Sequence, residues 1–260
     1  KPLIYYPLSV LMLAEISDIL IITTAHDQSQ FKKLLGDGSR YGIRFSYVIQ
    51  PAPSGLAQAL ILAEDFLEGG PSCLVLGDNL FFGHGFKEYL NRATHRVNGA
   101  TIFAYKVKRP EQFGVVELAE GIAVSLAEKP KCPRSDYAVT GLYFYDSHAP
   151  AMARSLNPSP RGELEITDLN QLYLNQEKLH VEIFGRGFAW LDTGTPDGLL
   201  SAGQFVQTIE KRQGFKIGNL EEIAWRNHWI SDNELRNIGM NQEKNQYGQY
   251  LLSLLDEVNE

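Results

Sequence analysis

In residues 1–100, short apolar runs alternate with segments whose apolar positions recur at helical spacing. Strands are predicted at 18–24, 45–49 and 73–76, where the runs are typical of strands buried on both faces. Helices are predicted at 4–16, 30–35, 56–67 and 87–96. This alternation predicts an α/β fold of the Rossmann-like kind, with a mostly parallel sheet flanked by helices.

Beyond residue 100 the pattern shifts toward strands. Strands are predicted at 100–107, 114–118, 123–127, 139–145, 181–184 and 189–191. Helices are predicted at 166–176 and 197–213, and a polar helical segment at 220–258. We therefore expect a small sheet inserted into the first one, a core at 1–213, and a helical C-terminal tail at 214–260.

Charge and composition narrow the function. The formal net charge of −7 argues against a nucleic-acid binder, which normally presents a basic face. No apolar run is long enough to cross a bilayer, so no membrane partner is expected. Cys73 and Cys132 make no disulfide framework, and Cys73 lies in a predicted core strand. The cytoplasm is the expected compartment.

Two predicted strands end in an aspartate next to a glycine. Asp78 follows the strand at 73–76, and Asp192 follows the strand at 189–191. Ligands of open α/β sheets bind beyond the carboxyl ends of the strands, and carboxylates are suitable ligands for a hard cation such as Mg²⁺. The two aspartates therefore suggest one metal held from two sides. A loop aspartate that only caps a turn is the alternative for each.

Three further positions could contact substrate. Lys129 lies between Glu128 and a proline at the end of a strand, where it could pair with a phosphate. Arg161 lies in a glycine-containing loop and could grip a phosphate with two hydrogen bonds. Gln50 precedes a Pro- and Gly-containing turn and could read a planar base through its amide. The alternative for the two cations is an ordinary solvated surface.

Together these segments resemble the sugar-phosphate nucleotidyltransferases, most closely the members that use dTTP and glucose 1-phosphate. The matching motifs are LGDN at 76–79, QPAPSGLAQ at 50–58, FGVVE at 113–117, EKP at 128–130, AVTGLYFYD at 138–146, PRGELEIT at 160–167 and AWLDTGT at 189–195. The resemblance covers nearly the whole chain, including YGQYL at 247–251.

The resemblance implies Mg²⁺-dependent transfer of a thymidylyl group from dTTP to glucose 1-phosphate, giving dTDP-glucose and pyrophosphate for deoxysugar synthesis. It also implies a nucleotide part at about 1–107 and a sugar-phosphate part at about 108–213. A competing form of the same reaction uses UTP, because a glutamine reads uracil nearly as well as thymine.

The resemblance assigns roles to individual residues. Asp78 and Asp192 would hold Mg²⁺. Gln50 and Gly55 would read the base. Lys129 and Arg161 would hold the sugar phosphate. The other substrate-binding residues would be Gly114, Glu128, Val139, Thr140 and Trp190.

The same family forms homotetramers with a second nucleotide site at a subunit interface. Two stretches of this sequence resemble parts of that effector site. The first contains Gly83 and His84, and the second contains Glu222, Ile223 and Arg226. A homotetramer with feedback inhibition is therefore implied.

The sequence departs from the family pattern mainly at its front. Family members begin with a central strand and a glycine-rich loop that wraps the triphosphate, and neither precedes Lys1 here. Without that strand, its neighbours are expected to be unpaired and to leave apolar surface open. A non-catalytic relative that binds nucleotide sugar or assembles with full-length subunits is the alternative function. Ser54 and Pro196 stand where the family tends to have Asp and His.

Overall fold

The protein is described here by a computed structural model that covers residues 1–257. The strands are β1 (Asp18–Thr23), β2 (Arg44–Ile49), β3 (Ser72–Val75), β4 (Asn79–Phe82), β5 (Ala100–Lys106), β6 (Gly114–Ala119), β7 (Ile122–Glu128), β8 (Tyr137–Tyr145), β9 (Leu179–Ile183) and β10 (Ala189–Asp192). The helices are α1 (Tyr5–Leu13), α2 (Gln28–Leu35), α3 (Gln58–Leu62), α4 (Glu64–Leu67), α5 (Phe86–Thr94), α6 (Ala149–Arg154), α7 (Ile166–Asn175), α8 (Pro196–Gln213), α9 (Leu220–Arg226), α10 (Asp232–Met240) and α11 (Gln246–Glu257).

The mixed α/β architecture is confirmed, and β8 is the centre of its largest sheet. β8 pairs antiparallel with β5 on one side, and with β3 and β6 on the other. β9 lies parallel to β5, and β7 continues β6 as a hairpin. A second parallel pair joins β1 to β2, and β4 pairs antiparallel with β10. Among the described strands of this sheet, β3, β5, β6 and β9 run in one direction, so the expected mixed, mostly parallel sheet is confirmed, although most neighbouring pairs are antiparallel. The reason is that β8 reverses direction between β3 and β5.

A cleft separates β1 from β3. It has a volume of about 650 Å³ and is lined by apolar side chains of both strands, among them Ile19, Leu20 and Leu74. Within residues 1–257, β1 pairs only with β2 and β3 pairs only with β8. Each of these two strands thus has one edge without a strand partner within residues 1–257, and apolar side chains of both line the cleft between them. The run at 73–76 is consequently half-buried rather than enclosed on both faces.

Some elements differ from the sequence prediction. The expected helix at 56–67 is two short helices, α3 and α4, that meet at Ala63. β4 and α6 were not predicted, because each is a short apolar run next to polar loop residues. The helical segment expected at 220–258 is three helices, α9, α10 and α11, and residue 258 lies outside the described residues. The other predicted strands and helices are present with small shifts of their ends.

The helical tail packs against the front of the chain. Leu220, Leu235 and Leu251 are fully buried and share one apolar cluster with side chains of α1, β1 and β2. Glu221 is also buried, with 1% exposure, and accepts hydrogen bonds from Tyr247 Oη at 2.5 Å and Arg40 Nη2 at 2.5 Å. This carboxylate therefore joins α9 to α11 and to the loop before β2. None of the helices within residues 1–257 combines the length and apolar character needed to span a lipid bilayer.

We expect Tyr247→Phe to lower the free energy of unfolding by about 2 kcal/mol, because it leaves a buried carboxylate short of one donor. Tyr250→Phe is the matched control, since Tyr250 donates at 2.6 Å to Glu222, whose side chain is 16% exposed and can be hydrated. Urea denaturation of both variants measures the difference. Equal losses of unfolding free energy in the two variants would show that the burial of Glu221 does not determine how much the Tyr247 hydrogen bond stabilises the protein.

Candidate active site

The pairing of β4 with β10 places the two candidate metal ligands side by side. Asp192, at the end of β10, lies opposite Asn79, the first residue of β4. Thr193 reinforces this pairing, because its backbone N–H donates to the Asp78 carbonyl at 2.9 Å and its hydroxyl donates to the same oxygen at 2.7 Å. Asp78 is therefore held next to Asp192 by backbone bonds, not by side-chain packing alone.

The two carboxylates converge above Gly194. A Cβ added to Gly194 would lie 3.0 Å from Asp192 Oδ1 and 3.2 Å from Asp78 Oδ2. The Gly194 N–H also donates to Asp192 Oδ1 at 2.8 Å, which orients that carboxylate. Within the described part of the chain, no group of three or more His, Cys, Asp or Glu side chains is placed to hold a metal. A pair of hard oxygen donors with open positions fits a divalent cation that takes its other ligands from phosphates and water.

The predicted sugar-binding residues gather around Gly114. Gly114 lies opposite Glu128 in the β6–β7 hairpin. A Cβ on Gly114 would lie 3.1 Å from Thr167 Oγ1, 3.3 Å from Glu128 Oε2 and 3.9 Å from Val139 Cβ. Thr167, which the sequence reasoning missed, donates to Glu128 at 2.6 Å and fixes that carboxylate. The neighbouring Thr140 is fully buried, and its hydroxyl has no hydrogen-bond partner within residues 1–257.

Lys129 and Arg161 meet at the same carboxylate. Glu128 Oε1 lies 3.9 Å from Lys129 Nζ and 3.8 Å from Arg161 Nη2. Arg161 is bound more closely by the buried Glu165, at 2.8 Å and 3.0 Å from Nη2. Lys129 has φ of 42°, a left-handed backbone conformation that is unfavourable for a side chain of this kind. The structure therefore brings the two predicted phosphate-binding cations to one carboxylate.

Tyr143 is one of the buried tyrosines of the core. It lies on β8, and burial is the main cause that raises the pKa of its hydroxyl. The charges of Glu128 and Asp78 raise this pKa further.

Gln50 and Gly55 lie in one tight loop. Gln50 Nε2 donates to the Gly55 carbonyl at 3.3 Å and to Gln58 Oε1 at 2.8 Å. The loop is attached to the segment that carries Arg161, because Leu164 N donates to the Ser54 carbonyl at 2.8 Å. A cleft of about 810 Å³ extends from Gln50 to Gly77 across the carboxyl end of β1. The loop at 50–55 therefore opens onto this cleft, whose lining includes Gly77, the residue before Asp78.

Trp190 is nearly buried, with 8% exposure, beside Phe113 and Asn79. Its ring centroid lies 5.1 Å from that of Phe113, and its indole N–H donates to Asn79 Oδ1 at 2.5 Å. Sequence reasoning missed Asn79, although it directly follows Asp78 in the chain. The missing information was the strand register, which a single sequence does not supply.

The candidate effector residues lie apart from this arrangement. Gly83 follows β4, and His84 is exposed on the loop before α5. Glu222, Ile223 and Arg226 lie on α9, where Glu222 accepts a hydrogen bond from Arg226 Nε at 2.9 Å. β4 and α9 both pack against α1. Their role as an effector site stays a prediction.

The fold is that of a nucleotidyl transferase. The family model described as nucleotidyl transferase matches residues 1–209. The chain belongs to this family and is an enzyme of the nucleotidyltransferase class.

Among its relatives, the glucose-1-phosphate thymidylyltransferase of Neisseria meningitidis serogroup A is 59% identical over 256 residues, which cover 98% of this chain and 89% of the relative. The enzyme of the same name from Mycolicibacterium smegmatis is 54% identical over 257 residues, with the same coverage of 98% and 89%. The crystal structure of a Bacillus anthracis glucose-1-phosphate thymidylyltransferase matches with a TM-score of 0.73 and 38% identity, over 79% of this chain and 82% of that one. A UDP-glucose pyrophosphorylase structure shares the fold, with a TM-score of 0.66 and 22% identity over 80% of this chain and 87% of that one.

We expect Gly194→Ala to lower activity by on the order of 100-fold, because a methyl group would displace both carboxylates by a few tenths of an ångström or block the space between them. Gly203→Ala on α8 is the control, since an added Cβ there meets nothing within 4 Å. Steady-state assays and thermal unfolding should show a catalytic loss only for the Gly194 variant. Equal activity of the two variants would contradict the idea that the space above Gly194 is used.

Proposed function

We propose that this protein transfers a thymidylyl group from dTTP to glucose 1-phosphate, releasing pyrophosphate and forming dTDP-glucose. The convergence of Asp78 and Asp192 on the space above Gly194 is the observation that carries the proposal. The names of relatives that are more than half identical over nearly the whole chain support the choice of substrates.

We propose Mg²⁺ as the cation at the carboxylate pair. When bound, it would neutralise charge on the phosphates of the two anionic substrates. Asp78 Oδ2 and Asp192 Oδ1 are the protein oxygens that would hold it. Gly194 keeps the space between them open, and its N–H orients the Asp192 carboxylate. The protein's own contribution is to hold these oxygens in place before the substrates meet.

Gln50 would read the base through its carbonyl oxygen. Its amide nitrogen is occupied, because the Gly55 carbonyl can only accept and must face the NH₂ group. Oε1 is thus the atom left to accept the imide N–H of a pyrimidine. Thymine and uracil share that group, so this contact alone does not separate dTTP from UTP.

Lys129 and Arg161 would hold the phosphate of glucose 1-phosphate. Arg161 donates hydrogen bonds to Glu165 from Nε at 3.2 Å and from Nη2 at 2.8 Å and 3.0 Å. Its other N–H groups would be available to bind an anion. Lys129 is 52% exposed, so its ammonium group can turn from Glu128 to a phosphate. Glu128 and the backbone near Gly114 would then contact the sugar hydroxyls.

The reaction would be an in-line attack by a phosphate oxygen of glucose 1-phosphate on the α-phosphorus of dTTP. Such transfers depend on positioning and charge neutralisation more than on covalent chemistry by the protein. No covalent enzyme intermediate is therefore proposed.

We further propose that the enzyme supplies deoxysugar synthesis in the cytoplasm and acts as a homotetramer. The effector residues Gly83, His84, Glu222, Ile223 and Arg226 would then lie at a subunit interface. Light scattering coupled to size-exclusion chromatography tests the tetramer directly. Finding a monomer at the concentration used in the assay would refute both the tetramer and the proposed effector site at a subunit interface.

We expect Asp192→Asn to abolish pyrophosphate release from dTTP and glucose 1-phosphate, a loss of on the order of several kcal/mol of transition-state stabilisation. Asp197→Asn, an exposed position in the first turn of α8, is the control and should retain activity. Parallel assays with UTP measure the preference for the base. Normal turnover by the Asp192 variant would refute the metal assignment. Absence of pyrophosphate release by the wild-type protein with dTTP and glucose 1-phosphate would contradict the proposed substrates.

A further inference from the structure

The side chain of Asn79 lies between two obligate donors and one candidate metal ligand. Its Oδ1 accepts from Trp190 Nε1 at 2.5 Å and from the Gly141 backbone N–H at 3.1 Å. Its Nδ2 donates to Asp78 Oδ1 at 2.8 Å. Asn79 is 2% exposed, so no water competes for these bonds. Three elements, β4, β8 and β10, thus meet at one amide.

The orientation of this amide is determined by its partners. An indole N–H and a backbone N–H can only donate, so the carbonyl oxygen of Asn79 must face Trp190 and Gly141. The NH₂ group must then face Asp78. A flipped amide would leave both donors without an acceptor in a buried place, which is costly.

We propose that Asn79 is the positioning residue for Asp78, and that Trp190 holds Asn79 in the required orientation. The inference rests on the proposed function, in which Asp78 is a ligand of the cation. Because Asp78 Oδ1 is engaged by Asn79, the carboxylate rotation is fixed and Oδ2 is the oxygen presented toward Asp192 Oδ1. Trp190 therefore acts on the cation site without touching it.

The strand geometry makes this arrangement rigid. Asn79 lies opposite Asp192, and Trp190 lies two residues before Asp192 on the same face of β10. Asn79 and Trp190 are thus diagonal neighbours across an antiparallel pair, a spacing that long side chains can bridge. The indole ring is held by Tyr105 and Phe113, with ring centroids at 5.9 Å and 5.1 Å. Hydrogen bonds that orient a metal ligand in this way typically set its affinity for the metal.

A purely structural role is the competing explanation, in which Asn79 only ties β8 to β10. The two explanations differ in what Trp190 does to cation binding. If Asn79 relays the effect of Trp190, removing the indole N–H weakens cation binding only while Asn79 is present. If both residues merely support the fold, their effects on cation binding are absent or independent of each other.

The experiment measures Mn²⁺ binding to the full chain by electron paramagnetic resonance, with no substrate added. Asn79→Leu should weaken Mn²⁺ binding by about 10-fold. Trp190→Phe, which keeps the ring contacts, should also weaken it, and should have no further effect when Asn79→Leu is already present. The control is Asn170→Leu, a buried asparagine on α7 whose oxygen accepts from Tyr145 at 2.7 Å. It should lower thermal stability and leave Mn²⁺ binding unchanged.

Asp78→Asn and Asp192→Asn separate this inference from the proposed function. If neither aspartate variant changes Mn²⁺ binding, the cation site itself is refuted. If both weaken it and Asn79→Leu does not, or if the effects of Asn79→Leu and Trp190→Phe add, only the positioning role is refuted. Should Asn79→Leu fail to fold, Trp190→Phe alone decides, because unchanged Mn²⁺ binding in that variant overturns the proposal.

Discussion

The antiparallel register of β4 and β10 is the constraint on which the whole candidate site depends. Asn79 and Trp190 are 111 positions apart in the chain, yet their side chains bond directly. A slip of one residue would send the Asp192 side chain to the opposite face of the strand and away from Asp78. The paired hydrogen bonds from Thr193 to the Asp78 carbonyl oppose such a slip, because both would be lost together. Backbone pairing thus sets the distance between two like charges that side-chain packing alone would not bring together.

Charge balance explains how the cations of the site are kept in place. Arg161 is 47% exposed and surrounded by Glu128, Glu163 and Glu165. Partly exposed pairs of this kind contribute little net stability, because solvent screens them. Loss of the 3.8 Å contact between Arg161 and Glu128 would therefore cost little, while the three hydrogen bonds to Glu165 hold the guanidinium in place.

The sequence predicted most of the elements and the residue types of the site, because apolar periodicity and strand-ending aspartates are local signals. Asp78 and Asp192 could be identified from their positions after apolar runs. Asn79 and Thr167 could not, since their roles follow from cross-strand and helix–sheet contacts. The dominance of antiparallel pairs was also hidden, because the direction of β8 depends on long-range connections. Local sequence indicates which residues are candidates for the site, but it does not indicate which residues from distant parts of the chain lie in contact.

Leu164 joins two segments of the candidate site, the loop that contains Gly55 and the segment that contains Arg161, through backbone hydrogen bonds. Its N–H donates to the Ser54 carbonyl at 2.8 Å, and its own carbonyl accepts from Ala57 at 3.1 Å. Gly55, which lies between Ser54 and Ala57 in the chain, has φ of 99°, and a side chain at this position would collide with the Leu164 backbone. The loop at 50–55 is therefore attached by backbone hydrogen bonds to the segment that carries Arg161. In the proposed function these two segments bind the two substrates, so their shared backbone contact would help to hold the substrates in line for the transfer.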